Sequence, residues 1–263
     1  LYIEPFQIIE PGNDLAEAIG EEEEEILRVL WDLTRATGEE RHAIVRATDS
    51  LGEVDLVRAK ARMSNAFRMC EPKIDGAPAL SLQEARHPLL LWLTRYGDAP
   101  EKRSAGALPE ADDLDFDSVE PIDIRLGDDF NMLMITGPNT GGKTVALKTI
   151  GLLCIMARSG MHVPARKAAI PFYDAVYADI GDEQSLEQSL STFSSHMSRI
   201  VEILLNATSQ SLVLLDELGA GTDPEEGGAL GEAILKRLAL VRCQTVVVTH
   251  LGRLKTFATT RPQ

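Results

Sequence analysis

One octet of this sequence, taken with its flanks, limits the possible folds more than any other segment. An apolar run at 131–136 is typical of a buried strand, and the residues from Val145 onward are typical of a helix. Between them lies a loop of the form G-x-x-x-x-G-K-T, made of Gly137, Pro138, Asn139, Thr140, Gly141, Gly142, Lys143 and Thr144. In a strand–loop–helix unit, glycines let backbone N–H groups close around phosphates, and the helix N-terminus adds positive potential. The octet therefore predicts a Walker A phosphate loop.

The residue types inside this octet indicate a nucleotide ligand. The ammonium group of Lys143 should reach the β- and γ-phosphates, and the hydroxyl of Thr144 should reach Mg²⁺. We therefore expect the octet and the adjacent Val145 to bind ATP or ADP together with Mg²⁺. An ordinary glycine turn is the alternative, and the flanking strand and helix argue against it.

A second apolar strand, at 211–215, ends in the carboxylates Asp216 and Glu217. We expect Asp216 to hold Mg²⁺, either directly or through water. Glu217 can orient an attacking water and accept its proton, as a general base does. Two ordinary surface charges are the alternative, but an acidic pair downstream of a Walker A loop indicates hydrolysis.

A third apolar strand, at 245–249, is followed by His250. A lone histidine at a strand end is usually structural. Here it follows the acidic strand by one crossover, which resembles the position of the switch histidine in ATP-binding-cassette-like ATPases. We therefore expect His250 to sense the γ-phosphate. Three other histidines do not follow such a strand, and we expect them to be surface or packing residues. They are His42, His162 and His196.

A hydroxyl-rich segment at 189–197 opens a predicted helix between the phosphate loop and the acidic strand. The plain interpretation is an N-cap, although a helix N-terminus with hydroxyls also attracts anions. By resemblance to cassette-like ATPases, Ser191 would complete the phosphate site of a neighbouring subunit, and Gln184 would be the Q-loop counterpart. The glycine-rich turn at 218–224 would be the D-loop, which touches that neighbour.

The chain before the phosphate loop is acidic and largely helical. Residues 1–130 hold 29 acidic and 14 basic side chains, whereas residues 131–263 hold 12 of each. The spacing of apolar residues predicts helices at 14–35 and 49–67, which suit a stalk or connector. Because nucleic-acid binding requires phosphate neutralisation, contacts to DNA or RNA should lie on a local patch or outside this chain.

A Pro- and Gly-containing break at 71–78 marks the predicted domain boundary. We predict a helical connector or lever over 1–80 and an ATPase domain over 81–263. Three further elements are expected in this region: a strand at 88–94, an exposed acidic loop at 97–118, and a half-buried strand that ends near Leu126.

From residue 131 onward, predicted strands and helices alternate. The strands are expected at 131–136, near 173–180, at 211–216 and at 244–249, and the helices at 143–158, near 191–206 and near 226–239. Such alternation predicts an α/β fold with a mainly parallel sheet and crossover helices. The resemblance of the motifs above to those of cassette-like ATPases implies that this fold is a P-loop ATPase of the cassette type.

Composition indicates a cytoplasmic protein. The sequence holds neither a run of 18 apolar residues nor a secretory signal, so no contact with a membrane is expected. The three cysteines are not in metal-ligand spacing, and we expect reduced thiols. Because the sequence does not begin with methionine, we expect it to be a fragment.

Several of these segments together resemble the MutS family, and most closely its second bacterial branch, called endonuclease MutS-two. The resemblance covers essentially the whole chain. The run GDEQSLEQSLSTFSSHM is its most specific part, and the other segments that carry it are Arg86-His87-Pro88, GPNTGGKT, LLDELGAGTDP and VVVTH.

The resemblance implies a homodimeric ATPase that acts on branched DNA, in recombination control, or on stalled ribosomes. It also implies that ATP joins two subunits and that hydrolysis releases them. The branch's nuclease domain, the mismatch-recognition domain of repair MutS proteins, and the final strands and dimerisation helices expected after His250 are not found in this sequence. Two rivals remain, a P-loop kinase and a non-catalytic module gated by nucleotide.

Overall fold

The computed structural model describes residues 6–74, 76–96, 114–137, 142–181 and 189–260, and describes only the backbone at 6–7, 96, 189–193 and 258–260. Contacts divide the chain into two compact units, Leu1–Ala59 and Lys60–Gln263. In chain order the elements are α1 (Phe6–Glu39), α2 (Arg41–Ala66), β1 (Leu80–Ala85), α3 (Pro88–Tyr96), β2 (Ile122–Leu126), β3 (Met132–Ile135), α4 (Lys143–Arg158), β4 (Lys167–Ala169), β5 (Val176–Asp179), α5 (Ser189–Asn206), β6 (Leu212–Leu215), α6 (Pro224–Val241), β7 (Gln244–Val248) and α7 (Gly252–Thr260).

The first unit consists of helix α1 and most of α2. Helix α1 begins earlier than the apolar spacing predicts and contains Pro11, a residue that disfavours helix interiors. The described side chains of this unit are exposed, including that of Trp31, which is 73% exposed. The predicted helical character of this region is confirmed. The predicted division at residue 80 stays a prediction, because a grouping by spatial contact does not test a division by function.

The second unit is built around a four-stranded parallel sheet with the order β3-β7-β6-β5. Ile135 pairs with Val248, and Leu215 pairs with Val247 and Asp179. The strands therefore end nearly level with one another. The residues that follow these strands meet at one edge of the sheet, called the carboxyl edge below.

Both faces of the central strands β6 and β7 are buried, which accounts for their largely apolar sequences. On one face, Leu212, Leu214 and Val246 share a core with α4 and the second sheet. On the other face, Val213 and Val247 share a core with residues of α5, α6 and α7. Helix α4, which follows the phosphate loop, is thereby fixed against the strands that carry the other predicted motifs.

The second sheet is antiparallel, with the order β2-β1-β4. The inward residues Leu80, Leu82 and Leu126 belong to the same core as Leu147 and Ile150 of α4. The period-2 strand predicted to end near Leu126 is therefore confirmed. Strands β1 and β4 were not predicted, because β4 has only three residues and β1 contains the polar residues Ser81, Gln83 and Glu84.

The predicted strand at 88–94 is wrong, because these residues form helix α3. Pro88 occupies the first helical position, where its missing N–H has no cost, and leucine favours helices. The N–H of Leu91 donates to the carbonyl of His87. Only one side is covered, since Leu91 is fully buried while Leu89 is 56% exposed. The short apolar run is compatible with a strand or a helix, and its burial on one side only is a feature of the structure that its sequence does not reveal.

The predicted fold class is confirmed as a mixed α/β fold with a parallel sheet and a helical segment before it. Among the helices described, none has an apolar stretch that could cross a bilayer. Of the acidic loop predicted at 97–118, residues 97–113 lie outside the described structure. Leu114 and Val119, which flank its end, are buried together with Phe67 and Leu91.

Candidate functional site

The predicted motifs gather at the carboxyl edge of the parallel sheet. Gly137 follows β3, the pair Asp216 and Glu217 follows β6, and His250 follows β7. Because β7 lies between β3 and β6, these three groups occupy neighbouring positions. Ligands of open α/β sheets bind beyond the carboxyl ends of the strands, so the arrangement suits a ligand at this edge.

The described part of the phosphate loop has the backbone that a glycine provides. Gly142 is the N-cap of α4 and has left-handed φ and ψ values of 72° and 12°. Such a conformation is costly for residues with a Cβ. Because glycine has no side chain, this cap offers the first-turn N–H groups of α4 no side-chain acceptor, which leaves them suited to an anion. The predicted contacts of Pro138, Asn139, Thr140 and Gly141 fall outside the described residues.

Lys143 is the first residue of α4 and is only 9% exposed. Its Nζ donates a hydrogen bond of 2.8 Å to the carbonyl oxygen of Gly137. The side chain therefore reaches back across its own loop. An ammonium group carries a positive charge and three N–H donors, which is the chemistry that binds phosphate.

The acidic pair at the end of β6 has an unusual backbone. Asp216 is 5% exposed, and its Oδ1 accepts a 3.0 Å hydrogen bond from the N–H of Glu217. Glu217 is half-buried and has a φ of 48°, in the left-handed region. A residue with a Cβ is strained in this region, and such strain is common where a side chain must point in a required direction.

Two hydrogen bonds join the turn after β6 to the end of β7. The N–H of Leu218 donates to the carbonyl of Val248 at 3.2 Å, and Thr249 Oγ1 donates to the carbonyl of Leu218 at 3.2 Å. Glu217 precedes one end of this connection, and His250 follows the other. His250 is exposed, whereas Thr249 is 1% exposed. A buried threonine thus fixes the backbone that presents an exposed histidine.

The side chains that could hold a metal ion at this edge suit Mg²⁺, which takes few protein ligands, better than a metal whose ligands all come from the protein. Within the described part of the chain, no three His, Cys, Asp or Glu side chains gather to form a metal site. Mg²⁺ needs only one or two protein ligands when phosphate oxygens and waters complete its octahedron. The Thr144 hydroxyl and the Asp216 carboxylate are oxygen donors of the kind that it accepts.

The start of α5 was predicted to act on a second subunit. Helix α5 includes Ser191 at its third position, although the side chain of Ser191 lies outside the described residues. The predicted Q-loop residue, Gln184, lies outside them as well. Their predicted contacts therefore stay predictions.

One contact near this edge was missed from the sequence. His196, predicted to be an ordinary residue, lies with its Nδ1 at 2.9 Å from Oδ1 and 3.0 Å from Oδ2 of Asp179. Asp179 ends β5 and is 2% exposed. The only signal in the sequence was an aspartate at a predicted strand end. By comparison, His162 contacts Ser64 Oγ at 2.7 Å, which fits its predicted packing role.

The Arg86-His87-Pro88 segment has a structural part in this unit. Arg86 Nε donates to the carbonyls of Phe116 and Val119 at 3.2 and 3.0 Å, which fixes the chain that leads into β2. Burial, with a smaller contribution from the positive charge of Lys148, lowers the pKa of His87. His87 is therefore held in its neutral form, and its buried Nδ1 makes no hydrogen bond within the described structure.

The turn predicted to be a D-loop is fixed by a helix cap and by close backbone packing. Asp223 caps α6, and its Oδ1 accepts a 2.9 Å hydrogen bond from the N–H of Glu225. A Cβ on Gly227 would lie 2.1 Å from the carbonyl oxygen of Gly219. No side chain fits between these two glycines, so the turn after Glu217 lies directly on the first turns of α6.

Comparison with known proteins identifies related sequences. Residues 133–263 match the family model described as MutS domain V. The chain is 47% identical over 262 residues to the Endonuclease MutS2 of Pelotomaculum thermopropionicum. This aligned region covers 99% of the chain and 30% of that relative.

Two further relatives give the same result. The Endonuclease MutS2 of Caldanaerobacter subterraneus subsp. tengcongensis is 45% identical over 259 residues, which cover 98% of the chain and 30% of the relative. The Endonuclease MutS2 of Latilactobacillus sakei is 42% identical over 264 residues, which cover 100% of the chain and 30% of the relative. The chain thus spans about 30% of the length of these curated relatives. Residues 133–263 therefore carry the sequence of MutS domain V, within a chain that is similar along its whole length to Endonuclease MutS2 proteins.

Proposed function

We propose that this chain is the ATP-hydrolysing part of a MutS2-type protein and that it hydrolyses Mg-ATP. The observation that carries the proposal is that the glycine-capped helix α4 and the Asp216-Glu217 pair meet at one edge of the sheet. The first can bind phosphates, and the second can hold the metal and activate water. The match of residues 133–263 to MutS domain V supports the same conclusion.

The reaction is an attack of water on the γ-phosphate, and catalysis consists mainly of positioning and charge stabilisation. Lys143 neutralises charge on the phosphates, and Thr144 and Asp216 hold Mg²⁺, which supplies further charge stabilisation when it is bound. Glu217 orients the water and takes its proton, and His250 senses the γ-phosphate. The left-handed backbone of Glu217 supports this role, because it is a strained conformation at the end of the acidic strand.

Nucleotide binding tests the phosphate loop. In Lys143→Ala, affinity for Mg-ATP and ADP should fall, because the buried ammonium group that spans the loop is removed. Lys167→Ala is a matched control, since Lys167 lies exposed in β4 of the other sheet and should not affect binding. Calorimetric titration measures both. Equal affinities of the wild type and Lys143→Ala would exclude the assignment of the phosphate loop.

Hydrolysis is tested by a change that preserves shape. Glu217→Gln removes the base and retains the side-chain volume, so ATP should bind as in the wild type and persist. The measurement is phosphate release without any added acceptor, which also excludes the kinase alternative if release is observed. Turnover by Glu217→Gln at the wild-type rate would show that another group is the base.

We further propose that ATP joins two copies of the chain and that hydrolysis separates them. In this arrangement Ser191 and the turn that ends at Asp223 face the phosphates bound by the partner. The first N–H groups of a helix have no partner within the helix, so the start of α5 favours an anion, whereas the phosphate loop of the same chain already provides its own anion site. A non-catalytic, nucleotide-gated module is the alternative, and the presence of both Lys143 and Glu217 favours hydrolysis over it.

The target of the whole protein is proposed from its relatives, which are named endonucleases. We propose branched DNA or stalled ribosomes, reached mostly through regions outside this chain, and a location in the cytoplasm. The acidic balance of residues 1–130 supports placing the contacts elsewhere. Affinity capture with the full-length protein and its Glu217→Gln variant distinguishes the targets, because a persistent ATP state should retain the physiological one.

A further inference from the structure

The buried Asp179 and the half-buried His196 form a pair beside the acidic strand. Both carboxylate oxygens of Asp179 lie within 3.0 Å of His196 Nδ1, and Arg199 Nη1 is 3.7 Å from Oδ1. Asp179 is 2% exposed, whereas the His196 side chain is 31% exposed. A buried carboxylate without partners is costly, so the two α5 side chains, His196 and Arg199, are held where they compensate its charge.

The imidazole ring has a fixed orientation as well as a fixed partner. A carboxylate only accepts hydrogen bonds, so Nδ1 of His196 carries the proton. The opposite side of the ring packs on Gly181, where a Cβ would come within 2.8 Å of Cε1 and 3.0 Å of Nε2. The ring is therefore held between the end of β5 and the chain that follows it.

The pair connects the acidic strand to helix α5. The carbonyl of Asp179 accepts a 2.9 Å hydrogen bond from the N–H of Asp216, the predicted metal ligand. The carboxylate of Asp179 holds His196, which lies five residues after Ser191 in the same helix. A continuous set of hydrogen bonds therefore leads from Asp216 to the first half of α5.

We infer that His196, held by Asp179, is a positioning residue that aims the start of α5 at the nucleotide of a second subunit. The inference rests on the proposed hydrolysis by two joined copies, and it assigns a role to a residue that the proposed reaction does not use. His196 touches neither nucleotide nor metal. It acts by fixing α5 to the carboxyl edge of its own subunit, so its loss impairs the site of the partner.

Steady-state hydrolysis by the full 263-residue chain tests the inference. In His196→Ala, kcat per mole of bound ATP should fall about tenfold or more, because small displacements of a positioning group have large effects on rate. The KM for ATP should change less than twofold, since the phosphate loop is untouched. His196→Asn keeps a donor near Asp179 and should recover part of the rate.

His162→Ala is the matched control, because it removes a similarly short histidine contact with Ser64 in the same unit. Its kcat should equal that of the wild type. Because unfolded protein binds no ATP, a rate divided by the amount of bound ATP is not lowered by a fraction of unfolded variant. An equal loss in both alanine variants, or no loss in His196→Ala, would overturn the inference. Absence of hydrolysis by the wild type would instead overturn the proposed function on which the inference rests.

Mixing two variants tests whether His196 acts on the partner. Lys143→Ala lacks its own phosphate site but keeps an intact α5, and His196→Ala has the opposite defect. A mixed dimer contains one complete composite site, so the mixture should hydrolyse ATP well above the sum of the separate variants. A rate equal to that sum would show that His196 acts within its own subunit, which contradicts the inference.

Discussion

The backbone of Glu217 has a conformation that costs stability. Its φ of 48° is in the left-handed region, which costs an L-residue about 1–2 kcal/mol. The strain persists because hydrogen bonds of the flanking residues fix the turn. The carboxylate of Asp216 accepts from the N–H of Glu217, and the N–H of Leu218 donates to the carbonyl of Val248. The conformation therefore follows from the surrounding hydrogen bonds, and the side chain itself does not favour it.

This strain gives a prediction that separates stability from activity. Asparagine tolerates the left-handed region better than glutamate, so Glu217→Asn should raise the free energy of unfolding by about 1 kcal/mol. It should also lose hydrolysis, because no carboxylate remains. Urea denaturation and phosphate release measure the two effects.

Two variants control this experiment. Glu217→Gln retains the same backbone strain and should lose hydrolysis without a gain in stability. Arg242→Gly relieves the left-handed C-cap of α6, where φ is 63°, and should gain stability while hydrolysis continues. The explanation by strain fails if Glu217→Gln is stabilised as much as Glu217→Asn.

At the level of single residues, the sequence identified groups that have a short local pattern. Lys143, Asp216, Glu217 and His250 each follow a strand or loop of recognisable form, and the structure places them at one edge of the sheet. The contact between Asp179 and His196 could not be predicted in this way, because it joins a strand end to a helix interior. Hydrogen bonds between distant residues depend on tertiary packing, which spacing does not encode.

At the level of elements, the turn after β6 and helix α6 are packed directly against each other. A Cβ on Gly227 would meet the carbonyl of Gly219 at 2.1 Å, and Gly219 has a φ of +86°. Both glycines are required, one for close approach and the other for its backbone conformation. The turn that follows Glu217 is thus positioned by α6.

Gly227→Ala should therefore destabilise the protein by about 1–3 kcal/mol, because backbone must shift to admit the added methyl group. It should also lower kcat, since the displaced turn begins next to Glu217. Gly252→Ala is the control, because a Cβ at this first residue of α7 meets nothing within 4 Å. Thermal unfolding and hydrolysis assays measure the pair. A wild-type melting temperature for Gly227→Ala would exclude the close contact.

Long helices were predicted in type, although α1 and α2 each begin eight residues before the predicted start, and short elements were not predicted well. Helix α4 has the predicted bounds, because a glycine cap and a buried apolar face define it. Helix α3 was predicted as a strand, since seven apolar-rich residues fit either structure. Strand β4 has three residues and exists through pairing with β1, so local sequence could not reveal it.

At the scale of the whole molecule, the charge is distributed unevenly. Net negative charge resides before residue 131, while the unit that carries the candidate site is balanced from 131 onward. The part of the chain from residue 131 onward therefore adds no net charge to a contact between two copies of the kind proposed above. In the proposed association, the negative phosphates of bound ATP would be attracted by the N-terminus of α4 in their own copy and by that of α5 in the other copy.

Two copies should associate when ATP is bound and cannot be hydrolysed, so Glu217→Gln with Mg-ATP should show added dimer in light scattering. Adding Ser191→Arg should remove that dimer, because bulk and misplaced charge would enter the interface at the start of α5. Ser209→Arg is the matched control, since Ser209 is exposed before β6, at the opposite edge of the sheet, and the dimer should persist. A dimer of equal strength without nucleotide, or one indifferent to Ser191→Arg, would show that two copies meet through another surface.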